Sequence, residues 1–356
     1  MIKSLEIENF RGIKSGNLEL SPITILLGPN NSSKSTILEA LFLAPNPFRK
    51  VPYFFTGPGL NPRVSLNFPD KALNAIYFLH KTLNYTGYTF LLHNYDSDCA
   101  SITCKENGEA YSLRFYNVEP QIYVHTNATT TRSSQVDIRG TTIPYFGLIH
   151  SNNLRADSVY DRRPLIKETL LISPDLTKAA YRYFEQQWQM IINKKITRKV
   201  AQYASKFTRD TYRDFTMEPV IGGQLDIHAY LDDGRRIRLG DLGQGIQSYI
   251  ISRILYEIVR PETLLWDDIE SHLNPRILIH IADWFSELLK IGKQVILSTH
   301  SLDATKVIAG VNEENARIYL TSLEESMLKT ERLTLREVED LQKAGIDART
   351  AEAFLL

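Results

Sequence analysis

ITILLGPNNSSKSTILEAL, residues 23–41, decides how the rest of the chain is read. The apolar run Ile23 to Leu27 ends at Gly28, and a short polar segment follows. Lys34, Ser35 and Thr36 then open a stretch with Ile37, Leu38 and Leu41 at helical spacing. The pattern is strand, tight loop, helix. It fits the phosphate-binding form G-x-x-x-x-G-K-[ST] at every defined position but one. Lys34 is placed to reach outer phosphates, and the Ser35 hydroxyl to meet Mg²⁺. The backbone N–H groups of Asn30 to Thr36 and the helix start complete an anion cradle. The misfit is Ser33, where the pattern has glycine. Serine there still offers its N–H provided φ stays negative. Read alone, the segment is also compatible with an ordinary Gly/Ser/Asn turn.

The surroundings favour the phosphate loop. The chain has 356 residues and a formal charge of zero, enough for a large core and with no global bias toward nucleic acid or anionic membrane. Cys99 and Cys104 are the only cysteines, so no disulfide framework is implied and a zinc site is disfavoured. MIKSLEIENF lacks a basic region followed by an apolar one, and no apolar run reaches the roughly 18 residues of a membrane span. The expectation is a soluble, cytoplasmic protein with no membrane partner. The 18 tyrosines, many between 77 and 145, read as strand and surface packing.

Along the chain, Ile2, Leu5 and Ile7 alternate as in a strand, NFRGIKSG (9–16) reads as a turn, and Pro45 and Pro47 stop the first helix near residue 43. Short alternating runs at Val64–Phe68, Tyr88–His93 and Ala110–Phe115, with Asn107-Gly108 as a hairpin turn, predict an antiparallel lobe. A short helix is expected at Ile76–Leu83, a polar loop over 126–140, and a strand at Tyr145–Ile149. From Asp175 to Met217 there is neither proline nor glycine, which predicts one long helix or two over 175–215. Its basic residues, Arg182, Lys194, Lys195, Arg198, Lys199, Lys206, Arg209 and Arg213, form a stripe that suits DNA or an ordinary solvated face. Asp233-Gly234 signals a second hairpin.

LLWDD (264–268) is an apolar strand ending in paired acids, as Mg²⁺-nucleotide chemistry requires: Asp267 for the metal, Asp268 to orient or deprotonate water. Glu270 lies just beyond. In VILSTHS (295–301), His300 stands past a strand end, positioned for the γ-phosphate or the lytic water. The interval between the two motifs leaves room for one helix and one strand, the β-α-β return that sets two strand ends side by side.

These motifs in this order, with IKSLEIENFRGIKSGNLEL before the loop, LGDLGQGIQ (239–247) and LLWDDIESHLNP, resemble the ABC-type ATPases of the RecF, SMC and Rad50 kind. They are more similar still to stand-alone AAA-family relatives of the ATPase half of OLD nucleases. The resemblance implies an α/β fold, an ABC-ATPase head of the P-loop NTPase class with an antiparallel β lobe and a helical insertion. It implies an N-terminal lobe over 1–160, a helical arm over 161–235 and a C-terminal lobe over 236–356. ATP and Mg²⁺ are the implied ligands. Arg11 would lie near the base or ribose, and Leu242 to Gln247, with Gly243, Gly245 and Gln247, would be the signature. Asp267 would serve the metal, Asp268 would stand in the catalytic glutamate position, Glu270 to Asn274 would cross to a partner and His300 would be the switch histidine. Gln135 is the one candidate for the Mg²⁺-sensing glutamine.

The signature in such proteins completes the other subunit's site, so a head-to-tail homodimer around two ATP molecules is implied. The departures are Ser33, the milder Asn31, Gly243 in place of a serine, and Asp268. Aspartate draws the carboxylate back by about one C–C bond, and a misplacement of about 1 Å can cost 10²-fold in rate. Too few residues follow His300 for a nuclease domain of the OLD type, and the 175–215 stretch is too short for SMC arms. Three readings follow: a dimeric ATP switch acting on DNA or on a separate nuclease or toxin partner in repair or phage defence; a nucleotide-gated interaction protein with little hydrolysis; and a transporter ATPase, disfavoured by the signature lacking serine.

Overall fold

The structure is a computed structural model that describes residues 1–55, 70–80, 88–127, 134–150, 153–156, 166–220, 222, 224–271 and 273–345. Thirteen strands share one mixed sheet. Its parallel part runs, in spatial order, Ala316–Glu324, Ile23–Leu27, Gln294–Thr299, Thr263–Trp266 and Thr169–Ile172. Every residue of Ile23–Leu27, Gln294–Thr299, Thr263–Trp266 and Thr169–Ile172 is buried. Strands covered on both faces read as continuous apolar runs, which is how ITILL and LLW looked in the sequence.

The helix Lys34–Leu43 packs across this parallel part. Thr299 lies beside Leu27 and Leu297 beside Trp266, so three strands deliver their carboxyl ends to one edge. Parallel sheets bind ligands at that edge.

The other part is antiparallel: Asn153–Ala156, Gly147–His150, Gln121–Thr126, Glu109–Val118, Cys99–Glu106, Ile2–Phe10 and Ile13–Glu19. It joins the parallel part through Met327–Leu333, which pairs with Ala316–Glu324. Cys99–Glu106 alternates buried with partly or fully exposed positions, as a sheet with one wet face does. The Asn107-Gly108 turn closes the expected hairpin with φ of 53° and 85°, and Asp233-Gly234 turns Leu225–Leu231 back onto Arg236–Arg238.

Several expectations change. Tyr88–His93 is not a strand but two tight turns, Thr89–Leu91 and His93–Tyr95. Leu91 and Leu92 are both buried, and Tyr88 and Phe90 stack with Tyr77, a packing that strict alternation cannot deliver. NFRGIKSG holds only a two-residue turn, because Ile2–Phe10 and Ile13–Glu19 extend into it. Within 126–140, Ser134–Ile138 forms a hairpin with Thr141–Tyr145 around Arg139-Gly140, both at positive φ.

The helical stretch is shorter than 175–215. Helix Pro174–Asn193 ends before Lys195, whose φ of 57° breaks the run, and Ile196–Ala204 follows. Ser205 then bonds its hydroxyl to Ala201 O and accepts the Tyr212 N–H, turning the chain into strand Tyr212–Pro219. The early helix spans Ala72–His80. Val64–Phe68, residues 81–83 and His272 lie outside the described residues.

Candidate nucleotide site

At the carboxyl edge, Gly28 leaves its strand with φ 155°. A Cβ there would sit 2.6 Å from the Thr321 carbonyl and 2.9 Å from its hydroxyl, so only glycine fits. Asn31 (φ 65°) and Ser33 (φ 66°) both adopt the left-handed conformation. The expectation that Ser33 keeps negative φ is therefore corrected. The loop demands a glycine-like backbone there, at a cost of about 1 kcal/mol for serine. Ser33 gives no side-chain cap to the helix it opens. The free N–H groups of that helix start therefore point into the loop, available to an anion.

Lys34 is folded back into this cradle. Its ammonium donates to Gly28 O (2.9 Å), Pro29 O (2.6 Å) and Ser32 Oγ (3.2 Å). Burial pulls its pKa down to about 8, against the upward pull of Asp267, Glu270 and Asp268. Ser35 Oγ donates to Asp267 Oδ1 at 3.1 Å, and Ser298 Oγ bonds the same oxygen. Burial pushes Asp267 upward, opposed by those two hydroxyls. The Asp268 N–H donates to Ser298 Oγ at 2.8 Å, which fixes the residue at φ 54°.

His300 Nδ1 lies 2.8 Å from Gly28 O, an acceptor, so Nδ1 donates a hydrogen there, with Lys34 Nζ 3.5 Å from the same nitrogen. The His300 N–H donates to Glu270 Oε1. The other oxygen, Oε2, is buried with no partner.

The residues present fit a Mg²⁺-nucleotide. Ser35 and Asp267 pair a hydroxyl with a carboxylate, the oxygen donors a hard cation takes. Among the described residues, the helix start has no side-chain cap, the ammonium donates to neutral oxygens, and Glu270 Oε2 has no partner.

Asn30, Asn31, Ser32, Ser33 and Thr36 are in the loop or the first helical turn, with Asn30 and Asn31 exposed and Ser32 and Thr36 buried. Arg11 is brought instead to Glu39 on the phosphate-loop helix, where Arg11 Nη2 meets His80 Nδ1 at 3.2 Å and His80 Nε2 meets Glu39 Oε1 at 2.8 Å. Gln135 stands exposed on the Ser134–Ile138 hairpin and is not among the residues gathered at the loop. Gly243, exposed, and Gly245, buried, open helix Gln244–Val259, and Gln247 donates to Leu242 O (2.6 Å) and Gly240 O (3.2 Å).

The sequence reading gave no role to Ser298, which lies inside the quoted VILSTHS run two residues before His300, or to Thr321, whose hydroxyl bonds Ser32 Oγ (3.0 Å) and Leu27 O (3.2 Å). Ser298 was detectable as a hydroxyl at the strand end facing the acids. Nothing in sequence marks Thr321.

Two stretches of the chain match known protein families. Residues 1–135 match a family described as an AAA ATPase domain. Residues 144–304 match a second AAA-domain family, provisionally assigned to the AbiEii toxin of type IV toxin–antitoxin systems. Both matches are to AAA-domain families, and between them they take in most of the chain.

Its fold is that of the SMC head. One SMC head, bound to the C-terminal winged-helix domain of ScpA, superposes with a TM-score of 0.55 at 15% identity, covering 95% of this chain and 99% of that one. Another, with an extended coiled coil and bound to the C-terminal domain of ScpA from Pyrococcus furiosus, gives 0.54 at 13%, covering 96% and 98%. An uncharacterised protein of Methanocaldococcus jannaschii is 57% identical over 44 residues, 12% of this chain and 20% of that protein. An OLD nuclease of Thermus scotoductus is 44% identical over 43 residues, 12% of this chain and 8% of its own length. The match thus spans a fifth or less of either curated relative. Among the described residues no helix is long and apolar enough to cross a membrane.

Proposed function

We propose that the chain binds ATP with Mg²⁺, hydrolyses it to ADP and phosphate, and uses the cycle as a head-to-tail homodimeric switch. The observation that carries this reading is the meeting of Lys34, Ser35, Asp267, Asp268, Glu270 and His300 at one sheet edge. Lys34 would exchange its carbonyl partners for phosphate oxygens, which charge favours. Ser35 and Asp267 would hold Mg²⁺, which when bound supplies a counter-charge for the phosphates. Glu270 Oε2, beside Asp268, would accept the proton of the attacking water, and His300 Nε2 would accept a hydrogen bond from that water.

Two helix starts lack a side-chain cap although each has a site motif, those at Lys34 and Gln244. The helices at Pro174, Pro275, Leu302 and Leu335 are capped by Ser173, Asn274, Ser301 and Thr334. (The short helix at Ile196 is also uncapped, but follows directly from its neighbour.) Gly243 would present the second start to a partner's phosphates. The effector would be DNA or a separate nuclease or toxin, in repair or defence, a reading supported by the OLD nuclease relative. The proposed setting is the cytoplasm.

Hydrolysis by the native protein, with and without DNA, beside Asp268→Glu and Lys34→Ala, tests it. Turnover abolished by Lys34→Ala supports a cycling ATPase. Tight ATP binding without turnover, with turnover appearing in Asp268→Glu, selects the second reading: a nucleotide-gated interaction protein held closed by ATP. That alternative is motivated by Asp268 and by the left-handed Ser33.

A further inference from the structure

A second cavity, of about 340 Å³, opens on the helical layer between Ile196–Ala204, Gln244–Val259 and Pro275–Lys290. Its floor is Arg253, 3% exposed, with the guanidinium stacked 3.8 Å from the Tyr203 ring centroid and 4.3 Å from that of Trp284. Arg253 Nε, Arg253 Nη1 and Trp284 Nε1 are all buried without a hydrogen-bond partner. Asn312 Nδ2, whose Oδ1 accepts from the cavity-lining Ser286, is likewise unpartnered. Every one of these orphaned groups is a donor. Leaving a donor buried and unmet costs about 1–3 kcal/mol, more when charged, so three such donors on two residues that line one cavity call for an acceptor.

Charge points the same way. Among the described residues, Arg253 has one ionic partner, Glu257, at 3.6 Å. That buried carboxylate is shared with Lys199 at 2.8 Å and Arg260 at 3.8 Å, so three cations face one anion. Lys206 and Lys290, both exposed, add positive charge at the mouth. Asp283 and Glu287, also exposed, stand on the rim against it, and burial holds His280 toward its neutral form. The deep end is cationic and donor-rich, and the walls are aromatic.

We infer that this cavity binds a small oxyanion, phosphate or carboxylate, carried on a flat aromatic or apolar body, independently of the nucleotide site. The oxyanion takes the Arg253 and Trp284 N–H groups in charge-assisted bonds, and the body lies against Tyr203 and Tyr249.

The test uses the full-length Lys34→Ala protein, in which the phosphate loop is disabled. Inorganic phosphate, phenyl phosphate and benzoate are titrated while calorimetry and the fluorescence of Trp284, one of three tryptophans, are followed. The expected result is saturable binding, tighter for phenyl phosphate than for inorganic phosphate. Arg253→Lys should weaken it at least tenfold. Lys206→Ala with Lys290→Ala, both at exposed positions, should weaken it severalfold even if the buried variant fails to fold. Saturation by benzoate alone identifies a carboxylate ligand, and saturation by the phosphates alone a phosphate. No saturable binding of any probe by the folded protein overturns the inference and assigns the orphaned donors to buried water. Binding that is indifferent to both sets of variants overturns it equally. Loss of the Lys34-dependent site changes none of these outcomes.

Discussion

Lys34 is a charged group that burial disfavours and its task requires. Its folded-state pKa, about 8, lies below the ordinary 10.5 because burial outweighs the pull of Asp267, Glu270 and Asp268. Between those two values the folded protein binds fewer protons than the unfolded chain. The ammonium therefore opposes folding fully below pH 8, and the opposition fades as pH rises through the window. Phosphate binding needs the protonated form, so the functional dependence runs the other way. ATP affinity should hold steady from pH 6.5 to 7.5 and fall above pH 8, by up to about tenfold per unit. Calorimetry at pH 8.5 in buffers of different ionisation enthalpy should show proton uptake on binding. A flat affinity between pH 7 and 9.5 would count against Lys34 as the phosphate ligand.

Glu270 makes the second residue-scale prediction. Glu270→Gln keeps an acceptor for the His300 N–H but removes the base, so kcat should fall about 10²-fold or more with ATP binding retained. If Asp268→Asn carries that loss and Glu270→Gln does not, the base is Asp268. Gly28, Lys34, Ser35, Asp267 and His300 were legible in the sequence because their roles are tied to a spacing. The contacts of Ser298 and Thr321 were not, since each is made to a residue far away in the chain. Nor could a sequence show that Glu270 leaves one oxygen buried and unpaired.

Elements were legible where one period dominates. Strands buried on both faces emerged near their true bounds, as at Ile23–Leu27 and Thr263–Trp266. The stretch over 175–215 misled because the absence of proline and glycine permits a helix without requiring one. Its end is set by Ser205 and by burial of Tyr212 and Phe215, both tertiary effects.

The same geometry divides the basic stripe. Arg213 lies on a strand, and Lys199 is committed to the buried Glu257. Lys199→Ala should destabilise by about 1–2 kcal/mol, because it exposes a buried carboxylate to one fewer cation. Lys194→Ala with Lys195→Ala and Arg198→Ala should stay within about 0.5 kcal/mol of native in urea melts. If this face meets duplex DNA, that triple variant should bind it more weakly and with a shallower salt dependence. Equal DNA affinity at low salt would make the stripe an ordinary solvated face or a protein dock.

At the scale of the whole molecule, the two motifs proposed to meet phosphate lie at separate helix starts, Lys34 and Gln244. The loop, the acidic strand end and His300 converge, whereas Gly243 is exposed at its own helix start, where an added Cβ would meet nothing within 4 Å. A second protomer turned head to tail would bring that start to the first protomer's phosphates, and bound ATP would supply the anion joining the two surfaces. Gly243 allows this to be separated from folding. Its φ of −58° and ψ of 141° suit any residue, and a Cβ there meets nothing within 4 Å. Gly243→Glu should therefore leave the melting temperature within about 2 °C of native, and monomeric ATP affinity within about twofold. It should abolish the ATP-dependent doubling of mass that light scattering is expected to show for Glu270→Gln, because a carboxylate would face phosphate across the interface. If Glu270→Gln binds ATP and keeps one mass with and without it, the nucleotide does not close a dimer. If Gly243→Glu doubles in mass as readily as its parent, closure uses another face.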